Sequence, residues 1–150
     1  WIPEFAFKLP IPKISAEKEK FFEILVDFII YLKDDSEKYK NENMFLVDKL
    51  FERIIDFMVY GLYFEQEMKD DESYINDEVE KVLIKHNFSN FEYLSDEAKE
   101  KLITEIYEEL NSNKVILKAL TFCNVEEVKI IEESVQTSDS DVEELEEDED

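Results

Sequence analysis

In 150 residues there is one glycine, one cysteine and one histidine, and no proline occurs beyond residue 12. Average usage would supply about ten glycines in this length. The shortage excludes Gly-rich phosphate loops, dinucleotide-binding fingerprints and turn-dense β-sandwiches or barrels. With Pro3, Pro10 and Pro12 confined to the start, nothing interrupts helix formation through the remaining 138 residues. A single cysteine excludes disulfide frameworks and Cys-rich zinc sites, and it fits a reducing cytoplasm. No apolar run approaches the roughly 18 residues of a membrane span, and the first residues do not read as a signal peptide, so no membrane partner is expected. The first residue is Trp1 rather than Met, as expected of a segment of a longer chain.

What the chain does have is acid. Forty Asp+Glu face 17 Lys+Arg, a formal net charge of −23, while 44% of residues are hydrophobic. The charge is uneven. From Glu132 to Asp150 there are eleven acids and no base, which leaves 29 acids against 17 bases in residues 1–131. Residues 135–150, with Val142 and Leu145 the only apolar side chains after Val135, bury too little to offset the entropy of ordering and read as a disordered acidic tail.

Residues 1–14 read as an extended strap. Phe5, Phe7, Leu9 and Ile11 alternate at period two, and Pro10 and Pro12 restrict the segment to an edge. From residue 15 to 134 the periodicity is helical. Ser15 is placed to cap a first helix over about 16–33, carrying Phe21, Phe22, Leu25, Phe28, Ile29 and Leu32. Ile24, Val26 and Ile30 fill its other faces, the pattern of a helix central in its bundle or wedged between domains. After a polar stretch, residues 44–64 give a second helix with Val47, Phe51, Ile54, Met58 and Leu62 in one stripe, spaced to pack antiparallel on the first. Gly61 lies inside this pattern, for close backbone approach or for a kink. Four further helices follow: about 74–86 capped from Asp71–Ser73, 96–111 capped by Ser95, 115–122, and one opened by an Asn124/Glu127 capping box. The expected fold is all-α, a bundle of five to six helices around an antiparallel long pair. Leu25, Phe28, Phe51, Ile54 and Met58 are the expected core.

The search for chemistry returns no catalytic residue, no cofactor-binding residue and no metal ligand. His86 has no Cys partners in sequence and reads as a surface histidine; Cys123 lies in an apolar run and reads as a buried thiol. Glu97-Ala-Lys99 and Glu127-Val-Lys129 match the Glu-x-Lys of nuclease metal sites. In a chain that is 38% charged, such triplets arise by chance. The net charge argues against nucleic-acid binding by the segment alone. The least acidic part is the first twenty residues, where Lys8, Lys13, Lys18 and Lys20 stand against Glu4, Glu17 and Glu19. Those four lysines are the candidates for contact with a DNA backbone.

Three stretches in order carry a resemblance. They are Phe7-Lys-Leu-Pro-Ile-Pro-Lys-Ile14 running into Phe22-Glu-Ile-Leu-Val-Asp-Phe-Ile-Ile30, then Leu50-Phe-Glu-Arg-Ile-Ile-Asp-Phe-Met-Val-Tyr-Gly-Leu-Tyr-Phe64, then Lys118-Ala-Leu-Thr-Phe-Cys-Asn-Val-Glu-Glu-Val-Lys-Ile-Ile131. Together, over roughly residues 5–133, they resemble the extreme C-terminus of type IIG restriction–modification proteins. These are adenine-N6 DNA methyltransferases with a TaqI-like specificity region. There a Leu-Pro-Ile-Pro strap leaves the target-recognition domain and enters two apolar helices. The resemblance implies a parent protein that methylates DNA with S-adenosylmethionine, with or without cleavage. Its partners would be the upstream domains of the same polypeptide, and DNA through the parent. It carries over no catalytic residue, since the Asn-Pro-Pro-Tyr motif, the Gly-rich cofactor loop and the Pro-Asp nuclease motif are all absent here. Gly61 stands where the pattern has a larger residue, and the acidic tail lies outside it. The expected function is a non-catalytic helical module bracing the target-recognition domain. The alternative is a free-standing acidic adaptor or DNA-mimicking inhibitor.

Overall fold

The computed structural model describes residues 13–34 and 42–135. All regular structure among them is helical. The strap as far as Pro12, Lys8 included, and the tail from Gln136 lie outside the described residues.

Helix α1 (Ala16–Asp34) starts where Ser15 can satisfy its first amides. The Ser15 hydroxyl accepts from the Lys18 N–H at 3.3 Å, and Glu17 and Glu19 favour the positive end of the dipole. Its buried face is Phe21, Ile24, Leu25, Phe28 and Leu32. Helix α2 (Glu42–Tyr63) runs antiparallel to it. At one end Lys33 Nζ lies 2.7 Å from Glu52 Oε1 and 3.8 Å from the fully buried Asp48; at the other, Phe22 shares a cleft with Gly61 and Leu62. Burial would push the Glu52 carboxyl up, but the Lys33 hydrogen bond and the charges of Lys33 and Lys49 hold it below its ordinary value.

The central helix is α2, not α1. From Phe51 to Tyr63 no residue of α2 is exposed, and α2 touches α1 and four other helices. The all-round apolar pattern of α1 has a different meaning, because Val26 is 40% exposed and Ile30 59%. Hydropathy marks both side chains as core; their positions on the helix put them outside.

At Phe64 the backbone leaves helical geometry (φ −127°, ψ 43°), and a short α3 (Glu65–Asp70) follows, pinned by the buried Met68. The kink therefore falls three residues beyond Gly61. Helix α4 (Asn76–Ile84) begins later than the sequence suggests. Ile75 occupies the N-cap with no side-chain cap bond, while Ser73 hydrogen-bonds to Asp71 instead. Ile75 is completely buried, so packing prevails over capping chemistry here.

A 3-10 turn at Phe91–Tyr93 sets Phe91 edge-on to Phe28, with ring centroids 5.0 Å apart. Phe88 of the same connection meets Phe21 at 6.1 Å. Ser95 then caps α5 (Asp96–Ser112) by accepting from the Ala98 N–H at 3.2 Å. Replacing Ser95 with Ala is expected to lower stability by about 1 kcal/mol, read from the urea midpoint, with Ser95→Asp restoring it. Asn113 closes α5 and opens α6 (Lys114–Phe122). Its N–H reaches the Leu110 carbonyl at 3.3 Å, while its Oδ1 accepts from Ile116 N–H at 3.1 Å. Ile103, Ile106 and Leu110 of α5 and Ile116 of α6 complete the core.

Residues 124–135 belong to a separate unit. Within it α7 (126–135) is helical, and the Val125 carbonyl accepts from the Lys129 N–H. Val125 thus holds the N-cap position expected of Asn124, whose Oδ1 accepts from the Lys129 ammonium. All six expected helices are present, with α3 in addition. None among the described residues is long and apolar enough to cross a membrane.

Candidate functional site

The candidate lysines separate. Lys13 is exposed at the rim of a cleft of about 390 Å³ between the start of α1, the end of α2 and α4. Lys18 lines the same cleft, its Nζ 3.1 Å from Glu80 Oε2 and 3.9 Å from Asp77 Oδ1. The Glu80 hydrogen bond holds this ammonium above its ordinary value, against the pull of burial. Lys20 is two residues on, about 200° round the helix, with its Nζ 5.2 Å from the Phe21 ring centroid. The structure therefore gathers Lys13 and Lys18 at one cleft and turns Lys20 away.

The cleft is built by a close approach of α4 to α2. Asn76 is buried on α4, and its Nδ2 donates to the Met58 carbonyl of α2 at 3.0 Å. Its Oδ1 is buried without a hydrogen-bond partner. A Cβ on Gly61 would lie 2.5 Å from that oxygen and 3.0 Å from Cε2 of Tyr74. Gly61 therefore serves close approach, the first of the two roles its position suggested. Neither Asn76 nor Tyr74 stands out in sequence; the signal was the isolated glycine in a helix.

Tyr74 has its phenol pushed up to about 12, first by burial and then by Asp77, Glu65 and Glu80. The neighbouring ions are paired, Lys18 with Glu80 and Lys69 with Glu65 at 3.0 Å, and Lys69 Nζ sits 4.9 Å from the Tyr74 ring centroid. A high-pKa phenol beside satisfied ion pairs is suited to holding helices together, or to binding. It is a poor general base at neutral pH.

His86, expected at the surface, is half-buried. Its side chain is only 14% exposed, with Nε2 2.9 Å from Glu109 Oε1 and Nδ1 3.9 Å from Glu105 Oε2. It fastens the end of α4 to α5. Cys123, expected to be buried, is half-buried. Lys99 of the first Glu-x-Lys triplet lies 5.4 Å from the ring centroids of both Tyr31 and Phe91, and Lys129 of the second meets Asn124. Among the described residues no group of three or more His, Cys, Asp and Glu side chains is placed to hold a metal ion.

One carboxylate on α1 is electrostatically uncomfortable. Burial pushes the Asp27 carboxyl above its ordinary value, and the charge of Glu92 adds to the push. An acid raised in this way weakens the fold once ionised. Its penalty is absent below the ordinary carboxylate range and complete above the raised value. Asp27→Asn is therefore expected to raise the urea midpoint at about pH 7 and to leave it unchanged near about pH 3. Equal gains at both pH values would show that the effect is not electrostatic.

Compared with protein-family models, with curated proteins and with solved structures, the chain has no significant match.

Proposed function

We propose that this chain is a non-catalytic helical module at the C-terminus of a DNA restriction–modification adenine-N6 methyltransferase, bracing its target-recognition domain on DNA. The observation that carries the reading is the placement of the stretches behind the resemblance. Phe22–Ile30 lies in α1, and Leu50–Phe64 forms α2 from its middle to the kink; the two helices pack antiparallel. An outward Val26 and Ile30 on α1 add support, since an apolar stripe left outside a bundle suits a helix that packs on a neighbouring domain. In this reading S-adenosylmethionine and the reacting adenine belong to upstream domains. The present residues supply packing. Of the three described lysines, Lys13 is the strongest candidate for a phosphate contact, because Lys18 already holds Glu80 and Lys20 lies over the Phe21 ring.

Reading the coding sequence upstream of Trp1 tests the proposal. An Asn-Pro-Pro-Tyr motif preceded by a Gly-rich cofactor loop is the expected result. A start codon immediately before Trp1 overturns it in favour of a free-standing acidic adaptor. In the parent protein, Lys13→Glu is expected to weaken DNA binding at all sequences and to lower the salt slope by about 1. An unchanged slope removes Lys13 from the interface.

A further inference from the structure

We propose that the outward face of α1 docks an amphipathic helix in which a column of lysine or arginine borders a column of large aliphatic side chains. The face carries two columns at four-residue steps, Phe22–Val26–Ile30 and Glu19–Glu23–Asp27. Each acid lies three residues before an apolar neighbour, so the columns run side by side. Val26, Ile30, Glu19 and Glu23 are exposed, and Phe22 and Asp27 are half-buried. Like charges at i,i+4 weaken a helix by a few tenths of a kcal/mol per pair; Glu19 suits the first turn of α1, but Glu23 and Asp27 lie beyond it and do nothing for the helix by themselves.

Nor is it neutralised within the bundle. Among the described residues no cation pairs with Glu19, Glu23 or Asp27. The lysines of α1 are engaged elsewhere: Lys18 by Glu80, Lys33 by Glu52, and Lys20 over the Phe21 ring. Asp27 additionally carries the repulsion of Glu92.

This combination selects among occupants. A second copy would set an identical acidic column against the first, and an anionic lipid surface or a DNA backbone would be repelled. An aliphatic ridge bordered by cations satisfies both columns at once. From Phe22 to Ile30 the ridge is about 12 Å long, a little over two helical turns, so a short helix covers it. The inference rests on reading the chain as a packing module, though not on its belonging to a methyltransferase.

The test uses the full chain and a synthetic helical peptide of about fourteen residues, four turns. The peptide carries one leucine column and one lysine column; an isomer has glutamate for lysine. Binding is followed by fluorescence anisotropy at about 0.15 M salt, where general attraction to the acidic chain is screened. The lysine peptide is expected to bind at least about tenfold more tightly than its isomer. Val26→Ser with Ile30→Ser, and separately Glu19→Gln with Glu23→Gln, are each expected to weaken it by about tenfold. These residues are exposed, and circular dichroism checks that the variants fold. Binding that survives the serine pair unchanged overturns the proposal, since net acidity alone would then be collecting the peptide. Absence of binding overturns it as well, as does self-association of the chain abolished by the same serine pair. A start codon before Trp1 would remove the methyltransferase reading and leave this measurement standing, so the two failures are distinguishable.

Discussion

Replacing Phe51 with alanine is expected to lower the unfolding free energy by about 3–5 kcal/mol, read from the urea midpoint at constant m. Phe51 has no solvent exposure, and its ring centroid lies 5.7 Å from that of Phe28, which in turn meets Phe91 edge-on. One side chain thus joins α2 to α1, and through Phe28 to the 3-10 turn. Removing it leaves a cavity at the point where three elements meet, and little of that space can collapse. Ile54, equally buried one turn on, should lose about 2–5 kcal/mol on truncation to Ala. Domains of this size are stable by only about 5–15 kcal/mol, so Ile54→Val, at about 1 kcal/mol, keeps the measurement within range if the larger truncations fail to fold. A loss under about 0.5 kcal/mol for both Phe51→Ala and Ile54→Ala would show that the stripe is not core.

Gly61→Ala is expected to destabilise by about 1–3 kcal/mol, although the same exchange in an open helix gains about 1 kcal/mol. The reason is steric: the added methyl would enter the space of the Asn76 amide and the Tyr74 ring. Asn76 cannot easily retreat, because its Nδ2 is bonded to the Met58 carbonyl. Asn76→Ala opens that space, so the cost of Gly61→Ala is expected to shrink sharply in the Asn76→Ala background, a coupling read by a double-mutant cycle. Stabilisation by Gly61→Ala alone would show that α4 does not approach α2 as closely as described.

Element positions were largely legible because helix periodicity and capping are local. Ser15 and Ser95 cap where their hydroxyls precede an apolar repeat, and Asn113 separates two helices by chemistry available at one position. Asp71–Ser73 shows where such reasoning stops. Its residues have capping chemistry, yet α4 starts at Asn76 because Ile75 must be buried against the core. Asp48 and His86 went unrecognised for a related reason. Each sits beside ordinary helix sequence, and its partner, Lys33 or Glu109, lies 15 or 23 positions away. The cleft at Lys13 and Lys18 was only half legible: the lysines are visible in sequence, while Asn76 and Tyr74 come to it by folding.

One glycine, three early prolines and an excess of 23 negative charges suffice to determine an acidic chain with no Gly-rich phosphate loop, whose regular structure among the described residues is all helical. These are properties of composition and of residues three or four apart, where the chain itself dictates geometry. The tertiary structure decided which of two apolar helices is central, which apolar residues remain outside, and that Gly61 serves contact rather than a kink. Hydropathy records that a side chain prefers burial. Whether it is buried depends on what the other helices bring to that face. For α1, neither Val26 nor Ile30 meets a neighbour that buries it.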